Sequence, residues 1–323
     1  MDVSFSDDGA PGHDIPVRVR QTRYEAEGVV SFLLERHDTG DLPEWSPGAH
    51  VELVLPSGAR RQYSLYGDPG RLSSYRIATR LVADGRGGSA EMHRLRPGDT
   101  VAISAVRNNF ELREAKSYLF IAGGIGVTPL LPMFRHVTLH DIPSTFIYLG
   151  RNPEQMALVD ELNDIGAGVQ VRHTDVTGIP LAADLLSDST AEAIYACGPA
   201  PLLDDLEAAA GITLTEHQSL HIERFQPVST LGAGDDTDCK IICSRSGLTV
   251  AVARGETYLD SIRRAGVDVP SSCEMGICGT CQIRVTAGTP DHQDMLLTDE
   301  ERAAGAFLPC VSRSRSTELT VEL

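Results

Sequence analysis

The chain has 323 residues, 41% hydrophobic and 23% charged, a composition typical of a globular protein with two or three domains. The net charge of −17 makes nucleic acid a poor candidate partner. Residues 1–16 lack a basic and apolar leader, and glycines and prolines interrupt the uncharged run at 117–134, so we expect no membrane span. Seven cysteines, four of them spaced as metal ligands, favour a reducing compartment over a disulfide framework, and we expect the cytoplasm.

Short strand-like runs separated by turn residues occupy the first third of the chain. The runs lie at 17–22, 29–34, 50–55, 61–65, 75–78 and 101–105. Turn dipeptides such as Pro47-Gly48 and Pro97-Gly98 stand between them. This pattern predicts a small antiparallel barrel. The polar residues 1–14 before it are expected to form a loose end.

Two features of this predicted barrel are suited to binding a phosphate. A glycine-rich turn that ends in Gly88 and Ser89 precedes a short helix, where backbone N–H groups and a hydroxyl can bind an anion. Arg61 can add a bidentate contact, and Tyr63 offers an aromatic surface to a flat ring. An ordinary helix N-cap and a solvent-exposed strand arginine remain the alternatives.

The pattern changes near residue 118, where strands begin to alternate with helices. Strand-like runs lie at 118–122, 145–149, 169–173, 193–196 and 220–222, and helices are predicted over 156–162 and 199–210. The alternation predicts a parallel, doubly wound sheet that binds ligands at the carboxyl ends of its strands. The turns 123–129 and 197–199 fall there. Because Pro129 replaces the third glycine of the dinucleotide fingerprint, a plain strand–helix turn remains open.

The last part of the chain contains a cysteine run within another set of short elements. Strand-like runs lie at 240–243, 248–252, 282–286 and 318–323, with a helix over 257–265. The cysteines are Cys273, Cys278, Cys281 and, after 28 intervening residues, Cys310. This spacing is typical of a plant-type [2Fe–2S] site, whereas four-cysteine zinc sites usually consist of two short pairs. Gly276 and Gly279 let the backbone turn its N–H groups toward the sulfurs.

These motifs stand together in one order, and the chain resembles the phthalate dioxygenase reductase family. The motifs are Arg61-x-Tyr63-Ser64-Leu65, Gly87-Gly88-Ser89, the turn 123–129, Cys197-Gly198-Pro199 and the four cysteines. Members of this family are single-chain reductases of Rieske-type oxygenases and demethylases. The resemblance implies a multidomain fold: an antiparallel β-barrel flavin domain at 1–112, a doubly wound α/β NAD domain at 113–228, a linker at 229–237 and an α+β β-grasp ferredoxin domain at 238–323.

The resemblance also implies roles for individual residues. On the flavin side these are Arg61 for the phosphate, Tyr63 and Ser64 beside the isoalloxazine, Ile77, Ala78 and Thr79 on the strand along the flavin, and Gly87, Gly88 and Ser89 in the phosphate turn. On the nucleotide side they are Gly124, Gly126 and Thr128, then Cys197 and Gly198 near the nicotinamide, and Phe225 covering the flavin. Ser64, Thr128 and Cys197 are the expected catalytic residues, and FMN is expected rather than FAD. A small apolar role for Cys197 and a core-packing role for Phe225 stay open.

Charge favours NADH over NADPH. Residues 113–237 carry 17 acidic and 6 basic side chains, a net charge of −11. A 2′-phosphate needs a nearby arginine or lysine, and this region is poor in both. Arg151 is a candidate contact to the adenosine, and Asp175 can accept a hydrogen bond from a ribose hydroxyl. Ordinary surface charge is the alternative for both residues.

We therefore expect an NADH-dependent electron-transfer reductase with FMN and a [2Fe–2S] cluster, serving a terminal Rieske-type oxygenase. A flavin is needed because a nicotinamide gives up two electrons together, whereas the cluster accepts one at a time. A reductase for a cytochrome P450 or another one-electron acceptor, and a redox sensor, are the alternatives. We expect a monomer without nucleic acid or membrane partners. Four non-ligand residues of the cluster loop are expected to face the electron acceptor: Glu274, Met275, Ile277 and Thr280.

Overall fold

The computed structural model describes residues 14–38, 40–83, 87–225, 239–252, 256–271, 274, 276, 279–294 and 296–323. The chain divides into two units, of which the first ends at Phe225 and the second comprises the rest. The predicted linker at 229–237 and the predicted loose end, apart from Asp14, lie outside the described residues. Within the described ranges, no helix is long and apolar enough to cross a membrane.

The first unit begins with an antiparallel barrel, as predicted. Its elements are β1 (Ile15–Ala26), β2 (Val29–Arg36), β3 (His50–Val54), β4 (Arg60–Ser64), β5 (Ser74–Arg80), the short helix α1 (Gly88–Met92) and β6 (Thr100–Arg107). The strand order is β4-β3-β6-β1-β2-β5. The amide of Tyr66 donates to the carbonyl oxygen of Arg76 over 3.1 Å, which joins the two ends of the sheet. Val17 and Val19 are buried while Arg18 between them is exposed, so the alternating sequence pattern fills the interior.

A parallel sheet with helices follows in the same unit. Its elements are β7 (Tyr118–Gly123), α2 (Val127–Leu139), β8 (Ser144–Gly150), α3 (Val159–Asn163), β9 (Val169–His173), α4 (Thr174–Thr177), α5 (Ala182–Ser187), β10 (Ala193–Cys197), α6 (Ala200–Thr213) and β11 (Ser219–Glu223). The strand order is β11-β10-β7-β8-β9, and all pairs are parallel. The chain therefore winds outward in both directions from β7. The point between β7 and β10 is the topological switch point, where such sheets bind ligands.

The helix predicted over 156–162 is wrong in its first half. A single 3-10 turn, Pro153–Gln155, comes first, and α3 begins only at Val159. Leu158 has φ 61°, a left-handed conformation that no α-helix contains. Met156 packs closely on Gly150: a Cβ added to Gly150 would lie 2.2 Å from Cγ of Met156. Burial of Met156 and Leu158 therefore overrides the local helical periodicity. The short helices α4 and α5 are absent from the sequence prediction.

The barrel and the parallel sheet share one hydrophobic core. Tyr66, Ala78 and Phe110 of the barrel part belong to the same buried cluster as Phe120 and Cys197 of the sheet. Polar contacts span the same boundary. Arg76 forms a bidentate pair with Glu161 at 2.7 and 3.0 Å, and Arg135 donates to the carbonyl oxygen of Gly67 over 3.0 Å. A partly buried bidentate pair fixes orientation more than it adds stability.

The second unit is a mixed sheet with one packed helix. Its elements are β12 (Cys239–Cys243), β13 (Leu248–Val252), α7 (Tyr258–Arg264), β14 (Ile283–Ala287), β15 (Pro290–Asp291), α8 (Asp299–Ala303), β16 (Ala306–Phe307), β17 (Arg313–Ser314) and β18 (Glu318–Val321). The main sheet has the order β13-β12-β18-β14-β16, with β12 parallel to β18. Helix α7 buries Tyr258, Leu259 and Ile262 against it. This is the predicted β-grasp fold, with the additional short helix α8.

Candidate active site and cluster loop

Two glycine-containing turns meet at the switch point of the parallel sheet. The turn after β7 contains Gly123 and Gly126, and the turn after β10 contains Gly198. A Cβ on Gly126 would lie 2.1 Å from the carbonyl oxygen of Cys197, and one on Gly198 would lie 3.0 Å from the Cα of Gly123. No larger residue fits at Gly126 without moving the backbone. The structure therefore brings the predicted nicotinamide residues of both turns to one place.

Cys197 is fully buried at the end of β10 and lies beside a carboxyl group. The β10–β11 register pairs Cys197 with Glu223. Burial, and secondarily the charge of Glu223, hold the pKa of the Cys197 thiol well above its ordinary value. The thiol therefore stays protonated at neutral pH, and a positioning role fits it better than a nucleophilic one.

Glu223 is a functional candidate that the sequence reasoning missed. The residue is partly exposed, but its Oε2 atom is buried and has no hydrogen-bond partner among the described residues. Burial raises the pKa of Glu223 to about 8. A buried carboxyl oxygen without a partner destabilises the folded state. Its position next to the expected nicotinamide thiol therefore makes Glu223 a candidate functional residue. Its only sequence signal is its position in the last strand of the sheet.

The glycine turn also receives a cation from the barrel. Gly124 has φ 54°, and a Cβ there would lie 3.5 Å from Nη1 of Arg80, the last residue of β5. The hydroxyl of Tyr148 donates to the carbonyl oxygen of Gly124 over 3.1 Å and so fixes this turn. The buried hydroxyl of Thr128 donates to the carbonyl oxygen of Ile125 over 3.0 Å. Arg80 was not predicted, because only the closure of the barrel against the sheet places it here.

The residues expected to bind the flavin phosphate converge. A Cβ on Gly88 would lie 2.5 Å from Nε of Arg61, so the arginine side chain packs against the start of α1. Gly87 has φ 82°, a left-handed conformation that suits glycine. The Ser89 hydroxyl accepts from the amide of Val82 over 3.1 Å, which closes the loop before α1. The earlier residues of this predicted turn, 84–86, lie outside the described residues.

The expected ring-contacting residues lie on β4 and β5. Ser64 is buried, and burial raises the pKa of the half-buried Tyr63, which keeps its hydroxyl neutral. Ile77 packs into the barrel interior, whereas Ala78 belongs to the core shared with the parallel sheet. Thr79 is buried, and its carbonyl oxygen accepts from Nε2 of His93 over 3.1 Å. Ile77 can therefore offer a ligand its backbone only, while Ala78 lies on the side where the two parts meet.

The remaining nucleotide-side candidates lie at two different places. Arg151 and Asp175 are both exposed at the edge formed by β8 and β9, where the amide of Asp175 donates to the carbonyl oxygen of Arg151 over 3.1 Å. Phe225 is half-buried and packs on the cluster that contains Cys197 and Ala78. This packing agrees with the core-packing interpretation of Phe225, and its role in covering the flavin stays a prediction.

The part of the cysteine loop that the structure describes fits a cluster. Cys281 and Cys310 are buried, while Cys273 and Cys278 lie outside the described residues. Gly276 and Gly279 have φ 76° and 72°, conformations that let successive N–H groups turn inward. A Cβ on Gly276 would lie 2.6 Å from Cγ2 of Val311, the residue after Cys310. The loop is thus pressed against the turn that carries the fourth cysteine.

One expectation about this loop is wrong. Glu274 does not face an acceptor, because its carboxylate accepts hydrogen bonds from Nη1 of Arg263 over 3.1 Å and from the Ser271 hydroxyl over 2.9 Å. Only 14% of its side chain is exposed. Thr280 is half-buried, and Met275 and Ile277 lie outside the described residues. This charged side chain, next to the expected ligand Cys273, therefore belongs to the internal hydrogen bonding of the loop.

Comparisons with known proteins identify several relatives of this chain. A family model described as a 2Fe-2S iron-sulfur cluster binding domain matches residues 241–315. The phenoxybenzoate dioxygenase subunit beta of Ectopseudomonas oleovorans is 36% identical over 315 residues, which cover 96% of this chain and 97% of that protein. The solved structure of phthalate dioxygenase reductase, described as modular for electron transfer from pyridine nucleotides to [2Fe–2S], matches with a TM-score of 0.76 and 34% identity over 96% of this chain and 98% of its own. An intact type IV self-sufficient cytochrome P450 monooxygenase matches all of this chain with a TM-score of 0.76 and 33% identity, over 43% of its own length.

Proposed function

The chain belongs to the phthalate dioxygenase reductase family, and from this premise we propose how its residues perform electron transfer. It is an NADH-dependent flavin iron–sulfur oxidoreductase, the reductase component of a multicomponent oxygenase. The observation that carries this function is the meeting, within one unit, of the barrel strand β5 and the two turns at the switch point. A flavin held by the barrel and a nicotinamide held by the turns would face each other there.

FMN is the cofactor that the barrel residues fit. We assign the phosphate to Arg61, Gly87, Gly88 and Ser89, which lie together at the start of α1. Bound there, FMN would supply two-electron acceptance from a hydride and one-electron release, which would match NADH to a [2Fe–2S] cluster. Tyr63 and Ser64 on β4 provide a neutral aromatic surface and a hydroxyl for the ring. We assign the cluster itself to Cys273, Cys278, Cys281 and Cys310.

The turns after β7 and β10 meet in what we call the crevice, and its residues exclude water and hold protons. The Cys197 thiol stays protonated and fully buried, so it forms an uncharged wall beside the expected nicotinamide site. The carboxyl group of Glu223, with a pKa of about 8, holds a proton at neutral pH. Gly126 allows the turns to touch and leaves no space for solvent between them. In such a neutral contact without solvent, the alignment of nicotinamide and flavin would dominate the rate of hydride transfer, because well-aligned reacting groups have large effective molarities.

We propose that Arg80 binds the pyrophosphate of NADH and that the edge of the sheet formed by β8 and β9 binds the adenosine. Arg80 reaches the glycine turn from the barrel, where it can pair with phosphate oxygens. Arg151 and Asp175 lie together at the edge of the sheet, where Asp175 can accept from a ribose hydroxyl and repel a 2′-phosphate. NADH is accordingly the proposed donor.

The test of this function compares two buried cysteines of the second unit. Cys281 is a proposed ligand, and Cys239 is an equally buried core thiol on β12. Cys281→Ser should abolish NADH-dependent reduction of cytochrome c and leave the reduction of dichlorophenolindophenol, a two-electron dye, within about twofold. Cys239→Ser should leave both activities. Survival of cytochrome c reduction in Cys281→Ser would contradict the ligand assignment, and its absence in the cofactor-loaded parent protein would contradict the function.

We propose a terminal Rieske-type oxygenase as the acceptor, and a cytochrome P450 is the second candidate. The observation that supports a P450 as second candidate is the match of this whole chain to 43% of a self-sufficient P450 monooxygenase. Stopped-flow mixing of the reduced protein with a purified Rieske oxygenase or with a P450 separates the two. Reduction of only the P450 would overturn the first assignment. We further propose that the protein is a monomer and that it lies in the cytoplasm, a reducing compartment that suits its cysteine usage.

A further inference from the structure

The penultimate residue of helix α7, Arg263, contacts the cluster loop. Arg263 donates from Nη1 to the Glu274 carboxylate over 3.1 Å and from Nη2 to the Ser271 hydroxyl over 2.7 Å. Its Nε and Nη2 also donate to the carbonyl oxygen of Val269 over 3.2 and 2.7 Å. One planar guanidinium therefore holds the chain before the loop and the first turn within it. Lysine lacks the fork geometry needed for this set of contacts.

The residue at the far end of this contact has an unusual backbone. Glu274 has φ 54°, although a residue with a Cβ rarely adopts the left-handed region. The carboxylate compensates by accepting from both Arg263 and the Ser271 hydroxyl, with 14% of its side chain exposed. Glu274 immediately follows the proposed ligand Cys273 and stands two residues before Gly276. Glu274 and Gly276, with φ 54° and 76°, are therefore both left-handed positions within the loop that would hold the cluster.

The same contact also sets the charge next to the cluster. Four thiolates with two irons form an anionic group that gains one more negative charge on reduction. An unpaired carboxylate beside it would disfavour reduction, and an unpaired guanidinium would favour it. Arg263 and Glu274 together present no net charge.

We propose that Arg263 is a positioning residue of the cluster loop, which fixes the turn at Glu274 and neutralises that carboxylate beside the cluster. This inference rests on the proposed function, since it assumes that the loop holds a [2Fe–2S] group. It assigns a role to a side chain that is neither a ligand nor part of the cysteine motif. Groups that orient ligands from outside the first coordination sphere typically change metal affinity 10- to 100-fold when removed.

The test measures the cluster's midpoint potential by EPR-monitored titration and its rate of loss to a chelator. Arg263→Gln should lower the potential, and Glu274→Gln should raise it, because each removes one of the two opposite charges at this contact. Arg263→Lys keeps the charge and loses the fork, so its potential should stay near the parent value while the cluster is lost about 10-fold faster. Arg264→Gln is the matched control, since Arg264 pairs with Glu256 instead, and it should change neither quantity.

Opposite shifts in the two neutralised variants cannot arise from a loosened loop alone, which would move both potentials the same way. Shifts of the same sign, or no shift in either variant, would overturn the proposal. Because Arg263→Gln could disturb folding, the Glu274→Gln measurement decides the sign independently, and far-ultraviolet circular dichroism checks the fold of both. A parent protein that shows no EPR signal of a reduced cluster would instead overturn the proposed function, and this inference with it.

Discussion

Replacing Glu223 with glutamine should remove a pH-dependent loss of stability from the first unit. The substitution keeps the size of the side chain and deletes its titration. Burial raises the pKa of Glu223 to about 8 in the folded chain, and its buried Oε2 atom has no hydrogen-bond partner among the described residues. In the unfolded chain its pKa returns to about 4.5. Between these values the folded protein binds one more proton than the unfolded protein.

The sign and size of the effect follow from this difference in bound protons. When a carboxyl group has a raised pKa in the folded state, stability falls as the pH rises from the unfolded value to the folded one. The slope is about 1.4 kcal/mol per pH unit, and it flattens near pH 8, so the loss from pH 6 to pH 8 is about 2 kcal/mol. For a unit of this size, this corresponds to a fall of about 4–8 °C in Tm.

Differential scanning calorimetry of the full-length holoprotein at pH 6 and pH 8 measures this fall directly. The transition of the first unit should lose about 4–8 °C more in the parent than in Glu223→Gln. Glu216→Gln is the matched control, because its side chain is 88% exposed, and it should show the parent's pH dependence. If Glu223→Gln keeps the full pH dependence of the parent, Glu223 ionises normally and the orphaned-carboxyl argument fails.

Three further predictions concern the ligand sites. Arg61→Ala should weaken FMN binding about 10- to 100-fold, the loss of one charge-assisted contact; flavin quantified after gel filtration at low concentration checks this, and unchanged retention would refute the phosphate assignment. Gly126→Ala should raise the KM for NADH and lower Tm, because its Cβ would lie 2.1 Å from the carbonyl oxygen of Cys197. Gly211→Ala in α6, with no atom within 4 Å of its added Cβ, should leave the KM unchanged and should not lower Tm, because alanine is the better helix former. NADH should exceed NADPH in kcat/KM at least about 10-fold, as one unfavourable contact between Asp175 and a 2′-phosphate would give; equal values would refute the charge argument.

Local sequence signals predict the elements whose pattern agrees with their final packing. The run at 169–173 matches β9 at both ends, and the runs at 193–196 and 248–252 match β10 and β13 to within one residue. These segments are short and apolar or alternating, and the sheet buries the side chains that the pattern marks. Helix α8 has an equally local signal that was overlooked. Thr298 and Glu301 form a capping box, and the Thr-x-x-Glu spacing is visible in the sequence.

The residues that sequence reasoning missed depend on contacts between distant segments. Glu223 becomes unusual only through its pairing with β10, and Arg80 reaches the glycine turn only because the barrel packs on the parallel sheet. Arg263 and Glu274 are eleven residues apart, on a helix and a loop, so no periodicity connects them. The predicted helix start at Met156 is wrong for the same reason, because the Met156 side chain packs into the space that Gly150 leaves. Tertiary contacts decide each case, and a sequence window does not contain them.

The two halves of the first unit share a core because of the chemistry between them. A hydride passes only between atoms in near contact, so an error of about 1 Å in alignment is costly. A hinge between barrel and sheet would make that alignment an average over many positions. The bidentate pair of Arg76 with Glu161, the Arg135 bond to Gly67 and the common apolar cluster remove this freedom. Since the pair adds little net stability, its contribution is orientation, and the rigid contact at Gly126 continues the same restraint into the crevice.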